Sequence, residues 1–190
     1  MNSFFIIFFC NTHGFLNDFE KEKEIIEKYN PEVILAESLE EEVLDSKDKF
    51  KEILKKEKIS NMTSMEEVKD LIKLCLEKNI PLIGIDFKNF GLDENLQRKV
   101  SKQEEPTAEE EEKLMKIVGE RERRHIDLIK KYQEECKKKI LVILGAWHLR
   151  DDSPLRDSFK DYKIIYPADK DGNMVLGPSN EEISWREEEK

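Results

Sequence analysis

Hydrophobic residues in this chain fall into short runs, which longer charged segments separate. Four runs, at residues 4–10, 32–36, 81–85 and 140–145, have the length and content of buried strands. They are rich in β-branched or aromatic residues and stop at a polar or glycine residue, as strands buried on both faces do. A fifth run, at residues 162–166, has the same character.

Between the strands, apolar residues recur every three or four positions, which is the period of a helix that buries one face. A capping box at Ser64 and Glu67 predicts the start of one helix. A second capping box, at Thr107 and Glu110, predicts a long helix that reaches about residue 137. Because strands and helices alternate, the pattern predicts an α/β fold with a layered, mostly parallel sheet of about five strands and flanking helices.

The remaining segments carry weaker patterns. Residues 40–57 indicate one or two exposed helices, and residues 88–106 show no clear period, which is typical of a crossing loop or lid. Residues 174–176 follow a turn and predict a small carboxyl-terminal β-hairpin at the sheet edge. No repeat or linker marks a second domain, so we expect a single domain at residues 1–178 and an acidic tail at residues 179–190.

The composition is that of a very polar, acidic chain. Of its 190 residues, 40% are charged, and the net charge is −10. This charge makes nucleic acid an unexpected partner, and a basic or metal-bearing partner fits better. The three cysteines are far apart and form no metal knuckle, which favours reduced thiols and a cytoplasmic protein. No run approaches the roughly 18 apolar residues that span a bilayer.

Polar residues with metal-ligand or acid–base chemistry follow the first four predicted strands. They are His13, Glu37, Asp86 and His148. The carboxyl ends of parallel strands meet at one edge of a sheet, where α/β folds place their ligand sites, so we expect these residues to share a cleft. Imidazole and carboxylate are ligands for zinc, manganese, cobalt or iron, and they also serve as general acids and bases.

Two polar residues, Arg121 and His125, interrupt the apolar stripe of the long helix. Their spacing places them on the helix face that buries the apolar residues. Burying an unpaired charge costs several kcal/mol, so Arg121 is expected to pair with Glu37 or Asp86, or to clamp an anionic group of a substrate. We expect His125 to be a satisfied histidine of the core or one that supports the site.

Ordinary structural interpretations stand beside these functional ones. A histidine after a strand is more often a cap or a surface residue than a ligand, and Glu37 and Asp86 have the positions of turn or helix-capping carboxylates. Two of the three histidines, His13 and His148, nevertheless fall at equivalent strand ends, which favours a function for the pair. Cys10 ends an apolar strand and is expected to be packed rather than nucleophilic.

Four motifs in this chain resemble those of the TraB/Tiki group, which belongs to a wider superfamily with ChaN-like proteins and erythromycin esterases. They are C-N-T-H at residues 10–13 for the group's G-x-x-H, Glu37 after the second strand, E-R-E at residues 120–122, and G-A-W-H at residues 145–148 for G-A-x-H. The motifs occur in the expected order over residues 3–167. Cys10 stands where glycine is usual, and His125 stands where methionine is usual.

The resemblance implies a divalent-metal-dependent hydrolase. Tiki-like members of the superfamily are proteolytic, erythromycin esterase-like members cleave esters, and ChaN-like members are linked to haem binding. The resemblance therefore indicates a scaffold that supports several chemistries.

The residues and the resemblance together favour a cytoplasmic hydrolase of a peptide or of a small-molecule ester that depends on manganese, cobalt or zinc. His13, Glu37 and His148 would build the site, with Glu37 as the base, Arg121 as a clamp, and Asp86 on the metal or behind it. The alternative is a non-catalytic module that holds a small ligand or haem between the two imidazoles. A third possibility is a domain without chemistry that acts through its acidic surface.

Overall fold

The chain folds into one mixed β-sheet with helices on both faces, in a computed structural model that describes residues 5–136, 139–177 and 182–190. The strands are β1 (Ile6–Asn11), β2 (Val33–Ala36), β3 (Val43–Leu44), β4 (Leu82–Gly84), β5 (Ile140–Gly145), β6 (Tyr162–Ala168) and β7 (Ser184–Glu189). The α-helices are α1 (Asp18–Tyr29), α2 (Lys47–Ile53), α3 (Met65–Lys78), α4 (Glu94–Lys102), α5 (Ala108–Glu135) and α6 (Pro154–Ser158). The predicted α/β class and the long helix before β5 are confirmed.

The sheet has the strand order β3-β4-β2-β5-β1-β6-β7. The five inner strands are parallel, and the two edge strands, β3 and β7, are antiparallel to their neighbours. In this register, Asn11 at the end of β1 lies beside Gly145 at the end of β5, and Ala36 at the end of β2 lies beside Ile143. The segments that follow these three strands therefore leave the sheet at the same edge.

The core has two layers because successive side chains of a strand point to opposite faces. On one face, Ile7 and Phe9 of β1 pack with the apolar sides of α1, α2 and α3. On the other face, Ile6, Phe8 and Cys10 pack with apolar residues of α5 and α6. This arrangement explains why the inner strands are apolar along their whole length. None of the helices in the described ranges is long and apolar enough to cross a membrane.

The carboxyl-terminal segment differs from the sequence-based expectation of an acidic tail. Ser184–Glu189 form β7, which pairs antiparallel with β6, so the predicted carboxyl-terminal hairpin is present but its second strand comes from the expected tail. Met174, in the segment predicted to form that strand, makes an isolated bridge to Ala168. β7 is held in place because Trp185 packs against the ring of Phe9 at a centroid distance of 5.0 Å. The expected domain boundary at residues 178 and 179 lies outside the described residues.

Two other segments are also more regular than their sequences indicated. Within residues 88–106, expected as a loop or lid, Glu94–Lys102 form α4, which Asp93 caps and which buries Leu96. Within residues 40–57, expected as one or two helices, the short strand β3 precedes the single helix α2. Both segments are short and mostly exposed, so few apolar positions mark their period.

Candidate functional site

Three of the predicted site residues meet at the carboxyl edge of the parallel strands. His13 lies in the turn after β1, Glu37 begins a 3₁₀ turn after β2, and His148 lies in a 3₁₀ turn after β5. All three line one cavity of about 350 Å³, which we call the strand-end cavity, and Arg121 of α5 lines it as well. The fourth strand-end residue, Asp86, is fully buried behind this cavity and is not part of its lining.

The carboxylate of Glu37 is the centre of the site. Its Oε2 accepts a hydrogen bond from the backbone N–H of Gly145 at 2.6 Å, and its Oε1 accepts one from Nη2 of Arg121 at 2.5 Å. Nε2 of His148 lies 3.4 Å from the same Oε1. Burial alone would raise the pKa of Glu37, but the charges of His148 and Arg121 outweigh burial and hold that pKa well below its usual range.

His13 and Glu37 both lie close to Gly145 at the end of β5. A Cβ atom built on Gly145 would lie 2.8 Å from Nε2 of His13 and 3.4 Å from Oε2 of Glu37. Only a residue without a side chain leaves this space open, so both polar atoms approach the end of β5 closely. This contact gives a physical reason for the glycine of the G-A-W-H motif.

The turn that carries His13 is fixed by a carboxylate from α1. Asp18 Oδ1 accepts hydrogen bonds from the backbone N–H and the hydroxyl of Thr12, at 3.0 and 2.7 Å, and Asp18 Oδ2 accepts one from the Gly14 N–H at 3.1 Å. Asn11 Oδ1 accepts the His13 N–H at 2.6 Å. These bonds hold His13 at a φ of 51° and Gly14 at a φ of 94°. The sequence did not predict this task for Asp18, because its contacts depend on how the turn folds back.

Arg121 pairs with both Glu37 and Asp86, the two carboxylates that were expected as its possible partners. Besides Glu37, it contacts Asp86, whose two carboxylate oxygens lie 3.1 and 2.9 Å from Nε of Arg121. His125 is fully buried, and its Nε2 lies 3.1 Å from Oδ2 of Asp86, so it is a core histidine in contact with the carboxylate behind the cavity. Its Nδ1 has no hydrogen-bond partner among the described residues. Burial would raise the pKa of Asp86, but the hydrogen bonds of His125 and Arg121 lower it. Asp86 therefore acts on the cavity through Arg121.

His148 lies between two carboxylates. Its Nε2 faces Glu37, and its Nδ1 lies 3.6 Å from Oε1 of Glu122 on α5, which also accepts a hydrogen bond from Arg150 at 2.7 Å. Burial alone would lower the pKa of His148, but the charge of Glu37 and the contact with Glu122 raise it to about 9. His148 is thus an imidazolium at neutral pH. Glu122 belongs to the E-R-E motif, yet nothing in its spacing singled it out as a partner of His148.

Only some of the charged side chains at this site line the strand-end cavity. Arg121 and His148 line it as cations and Glu37 lines it as an anion, whereas Asp86 and Glu122 lie behind them. An apolar wall completes the lining with Phe15, Val118, Trp147 and Leu176. The strand-end cavity therefore presents a polar, net cationic floor and an apolar side.

The donor set suits a divalent ion in its chemistry but not in its arrangement. Two imidazoles and a carboxylate are acceptable ligands for zinc, manganese or cobalt. Within residues 5–136, 139–177 and 182–190, however, no three His, Cys, Asp or Glu side chains are grouped so that they could hold an ion. Both oxygens of Glu37 are engaged, and both ring nitrogens of His148 face carboxylates. As they stand, these residues do not fit the ion that the sequence predicted.

Cys10 does not contribute to the site, although it begins the first motif. Its side chain is fully buried in the core face that packs on α5 and α6. Burial strongly raises the pKa of its thiol, so a nucleophilic thiolate is excluded at neutral pH. The position that is usually glycine in the TraB/Tiki group is thus a packing position in this chain.

Comparisons with protein-family models, with curated proteins and with solved structures find no match for this chain. The geometry of the site and the motifs named above are therefore what supports a functional proposal.

Proposed function

We propose that this chain hydrolyses an ester or peptide bond in the strand-end cavity, as a cytoplasmic enzyme acting on a small molecule or a peptide. The observation that carries the proposal is the cavity lining itself. An imidazole, His13, stands at the edge of a floor that presents the cations Arg121 and His148 around the single carboxylate Glu37. A base next to preorganised positive groups is the arrangement that acyl transfer to water requires.

We assign the role of general base to His13. The sequence alone suggested Glu37, but a carboxylate whose pKa is held well below its usual range accepts protons poorly. An imidazole is the side chain that most often serves as a general base in enzymes. Glu37 Oε2 lies on the same side of Gly145 as Nε2 of His13, so its charge would stabilise the imidazolium that forms when His13 takes a proton from water.

Arg121 and His148 are proposed to stabilise the negative charge of the tetrahedral intermediate. Both groups are positive at neutral pH, because the pKa of Arg121 is raised by its carboxylate partners, in spite of burial, and that of His148 is about 9. Their positions are fixed by Glu37, Asp86 and Glu122, so they need little reorganisation during the reaction. The apolar wall with Val118 and Trp147 would hold a non-polar part of the substrate.

The proposal is tested with a panel of p-nitrophenyl esters and short fluorogenic peptides. We expect the wild-type chain to hydrolyse at least one class, and His13→Ala to lower kcat/KM by about 10²- to 10⁴-fold, the usual contribution of a general base. Lys23→Ala, an exposed change on α1, is the matched control and should leave the rate unchanged. Full activity in His13→Ala, or no hydrolysis by the wild-type chain, would contradict the proposal.

Divalent-metal dependence stays a separate prediction. A bound ion would be held by His13, Glu37 and His148, with Asp86 supporting it, and would supply an activated water. Binding would require His148 to lose its proton and Glu37 to release its partners. The measurement is metal content after incubation with manganese, cobalt or zinc, for the wild-type chain and for His148→Ala. Equal metal content in the two folded proteins would contradict a metal site at His148.

The alternative of a non-catalytic small-ligand or haem-binding module gains no specific support from the site. His148 already faces two carboxylates, so its ring nitrogens are not free to contact a haem iron without displacing them. A visible absorption band on haem titration that disappears in His13→Ala and His148→Ala would revive this alternative.

A further inference from the structure

A second cavity, of about 320 Å³, lies on the other side of His13 between the amino-terminal ends of α1 and α3. We call it the acidic cavity. Asn11 and His13 line both cavities, so the two cavities meet at the turn that carries the imidazole of the proposed mechanism. A substrate whose scissile bond lies against His13 in the strand-end cavity therefore has a second recess within reach.

The charged side chains that line the acidic cavity are all carboxylates. Its carboxylates come from both helices and are Asp18, Glu22, Glu66, Glu67 and Asp70. No lysine or arginine of the described ranges belongs to the lining. The other lining residues include the apolar side chains of Leu16, Phe19, Val68 and Leu71. Acidic groups beside an apolar wall match an organic cation with an alkyl stem.

An acidic cluster alone would be an ordinary solvated surface, and most of these carboxylates do have other tasks. Asp18 binds the turn at residues 12–14, Glu67 completes the capping box with Ser64, and Asp70 pairs with Lys73. Glu66 is exposed to solvent. The carboxylate that lacks a comparable task is Glu22.

Glu22 is buried without a cation. Only 5% of its surface is exposed, yet its one hydrogen bond within the described part of the chain comes from the neutral amide of Asn11, at a long 3.4 Å. It forms no ion pair with any described residue. Burial, and next to it the charge of Asp18, raise the pKa of Glu22 to about 8. A buried carboxyl group in this state is costly as an anion, and a cation that entered the cavity would remove that cost.

We propose that the acidic cavity is a substrate subsite for a primary ammonium group on an alkyl stem, the chemistry of a lysine side chain, with Glu22 as the pairing carboxylate. The inference rests on the proposed hydrolase function for the statement that the cation belongs to the substrate. Asn11 links the two sites, because its amide donates to Glu22 while its oxygen accepts the backbone N–H of His13. The substrate class is then a lysine-containing peptide or an ester of an amino-alkyl compound.

The binding test uses the full chain and n-butylammonium chloride as the probe, with n-butanol as its neutral counterpart. We expect the ammonium to bind at least about tenfold more tightly than the alcohol, and Glu22→Gln to remove this preference. Asp70→Asn, an exposed carboxylate at the same cavity, is the matched control and should change affinity by less than about threefold. Equal losses in the two variants would identify a diffuse acidic surface and overturn the subsite.

A second measurement on the wild-type chain keeps the inference testable if Glu22→Gln does not fold. Calorimetry at pH 7 in buffers of different ionisation enthalpy should show the release of close to one proton for each n-butylammonium bound, because Glu22 must ionise to pair with it. Binding without proton release would contradict the role of Glu22.

A kinetic measurement connects the subsite to the reaction. The p-nitrophenyl esters of lysine and norleucine differ in the ammonium group, and the wild-type chain should favour the lysine ester by about tenfold in kcat/KM, a preference lost in Glu22→Gln. If hydrolysis occurs without this preference and n-butylammonium does not bind, the subsite is wrong and the hydrolase proposal stands. If n-butylammonium binds but no ester or peptide is cleaved, the hydrolase proposal fails and the cation site stands.

Discussion

Gly145 is the residue that allows His13 and Glu37 both to lie close to the end of β5. The backbone N–H of Gly145 binds Glu37, and the space above its Cα is filled by the imidazole of His13. The sequence predicted His13, Glu37 and His148 as site residues because strand ends are recognisable from apolar runs. The roles of Asp18, Glu122 and Glu22 could not be predicted, because they depend on side-chain directions that no spacing encodes.

Gly145→Ala should reduce hydrolysis while the fold is retained. The new methyl group would lie 2.8 Å from His13 Nε2, so the imidazole has to move away from the end of β5. A misplacement of about 1 Å at the site of catalysis can lower the rate by about 10²-fold, so we expect a loss of that order. The measurement is kcat/KM on the best ester of the panel, with a circular dichroism spectrum for the fold. Gly119→Ala, where an added Cβ meets nothing within 4 Å, is the control that should retain full activity.

Glu22 should lower the free energy of unfolding as the pH rises, which is the opposite of what an ion-paired carboxylate does. Its pKa rises from an ordinary 4.5 to about 8 in the folded chain, so the folded state keeps a proton that the unfolded state releases between these values. The contribution of Glu22 to the free energy of unfolding is therefore most favourable below pH 4.5, declines as pH rises to about 8, and is constant above that.

Glu22→Gln removes this dependence. Relative to the wild-type chain, the variant should gain stability progressively from pH 5 to pH 8, by a total of a few kcal/mol. Urea unfolding at several pH values measures the difference, and Glu20→Gln, an exposed change on the same helix, should follow the wild-type curve. A pH-independent difference between wild type and Glu22→Gln would show that Glu22 is not protonated in the folded state.

At the scale of elements, the inner strands were predictable and the polar edge elements were not. β1, β2, β4, β5 and β6 are apolar runs whose period and ends can be read directly from the sequence. β7 and α4 are mostly polar, and each packs one apolar side chain inward, Trp185 on Phe9 and Leu96 in the core. One apolar residue in a charged segment does not define a period, so these elements depend on tertiary contacts.

Trp185→Ala tests whether β7 is part of the domain. Its ring packs on Phe9, a fully buried residue of β1, so we expect the free energy of unfolding to fall by about 2 to 3 kcal/mol. Trp147→Ala is the matched control because Trp147 is 48% exposed, and it should lower stability by less than about 1 kcal/mol. Chemical unfolding of both variants makes the comparison. Equal and small effects would mean that the segment at residues 184–189 adds little to the fold.

At the scale of the whole molecule, the order of the strands brings the site together. β5 lies between β1 and β2, so the residues that follow these three strands become neighbours although they are far apart in sequence. Apolar patterns predict that strands exist, but several strand orders satisfy the same patterns. The helix α5, which packs on one face of the sheet, brings Arg121 to the carboxylates that follow β2 and β4.

Arg121 should therefore contribute more to stability than other charged residues of α5. Arg121→Met removes the guanidinium but leaves Glu37 and Asp86 buried without their main cation, which typically costs about 3 to 5 kcal/mol. Arg123→Met, an exposed change two residues away on the same helix, should cost less than about 0.5 kcal/mol. If the loss arises from uncompensated carboxylates, adding Asp86→Asn to Arg121→Met should restore part of it. Chemical unfolding of the two single variants and the double variant separates the cases, since a purely steric loss at Arg121 would persist unchanged in the double variant.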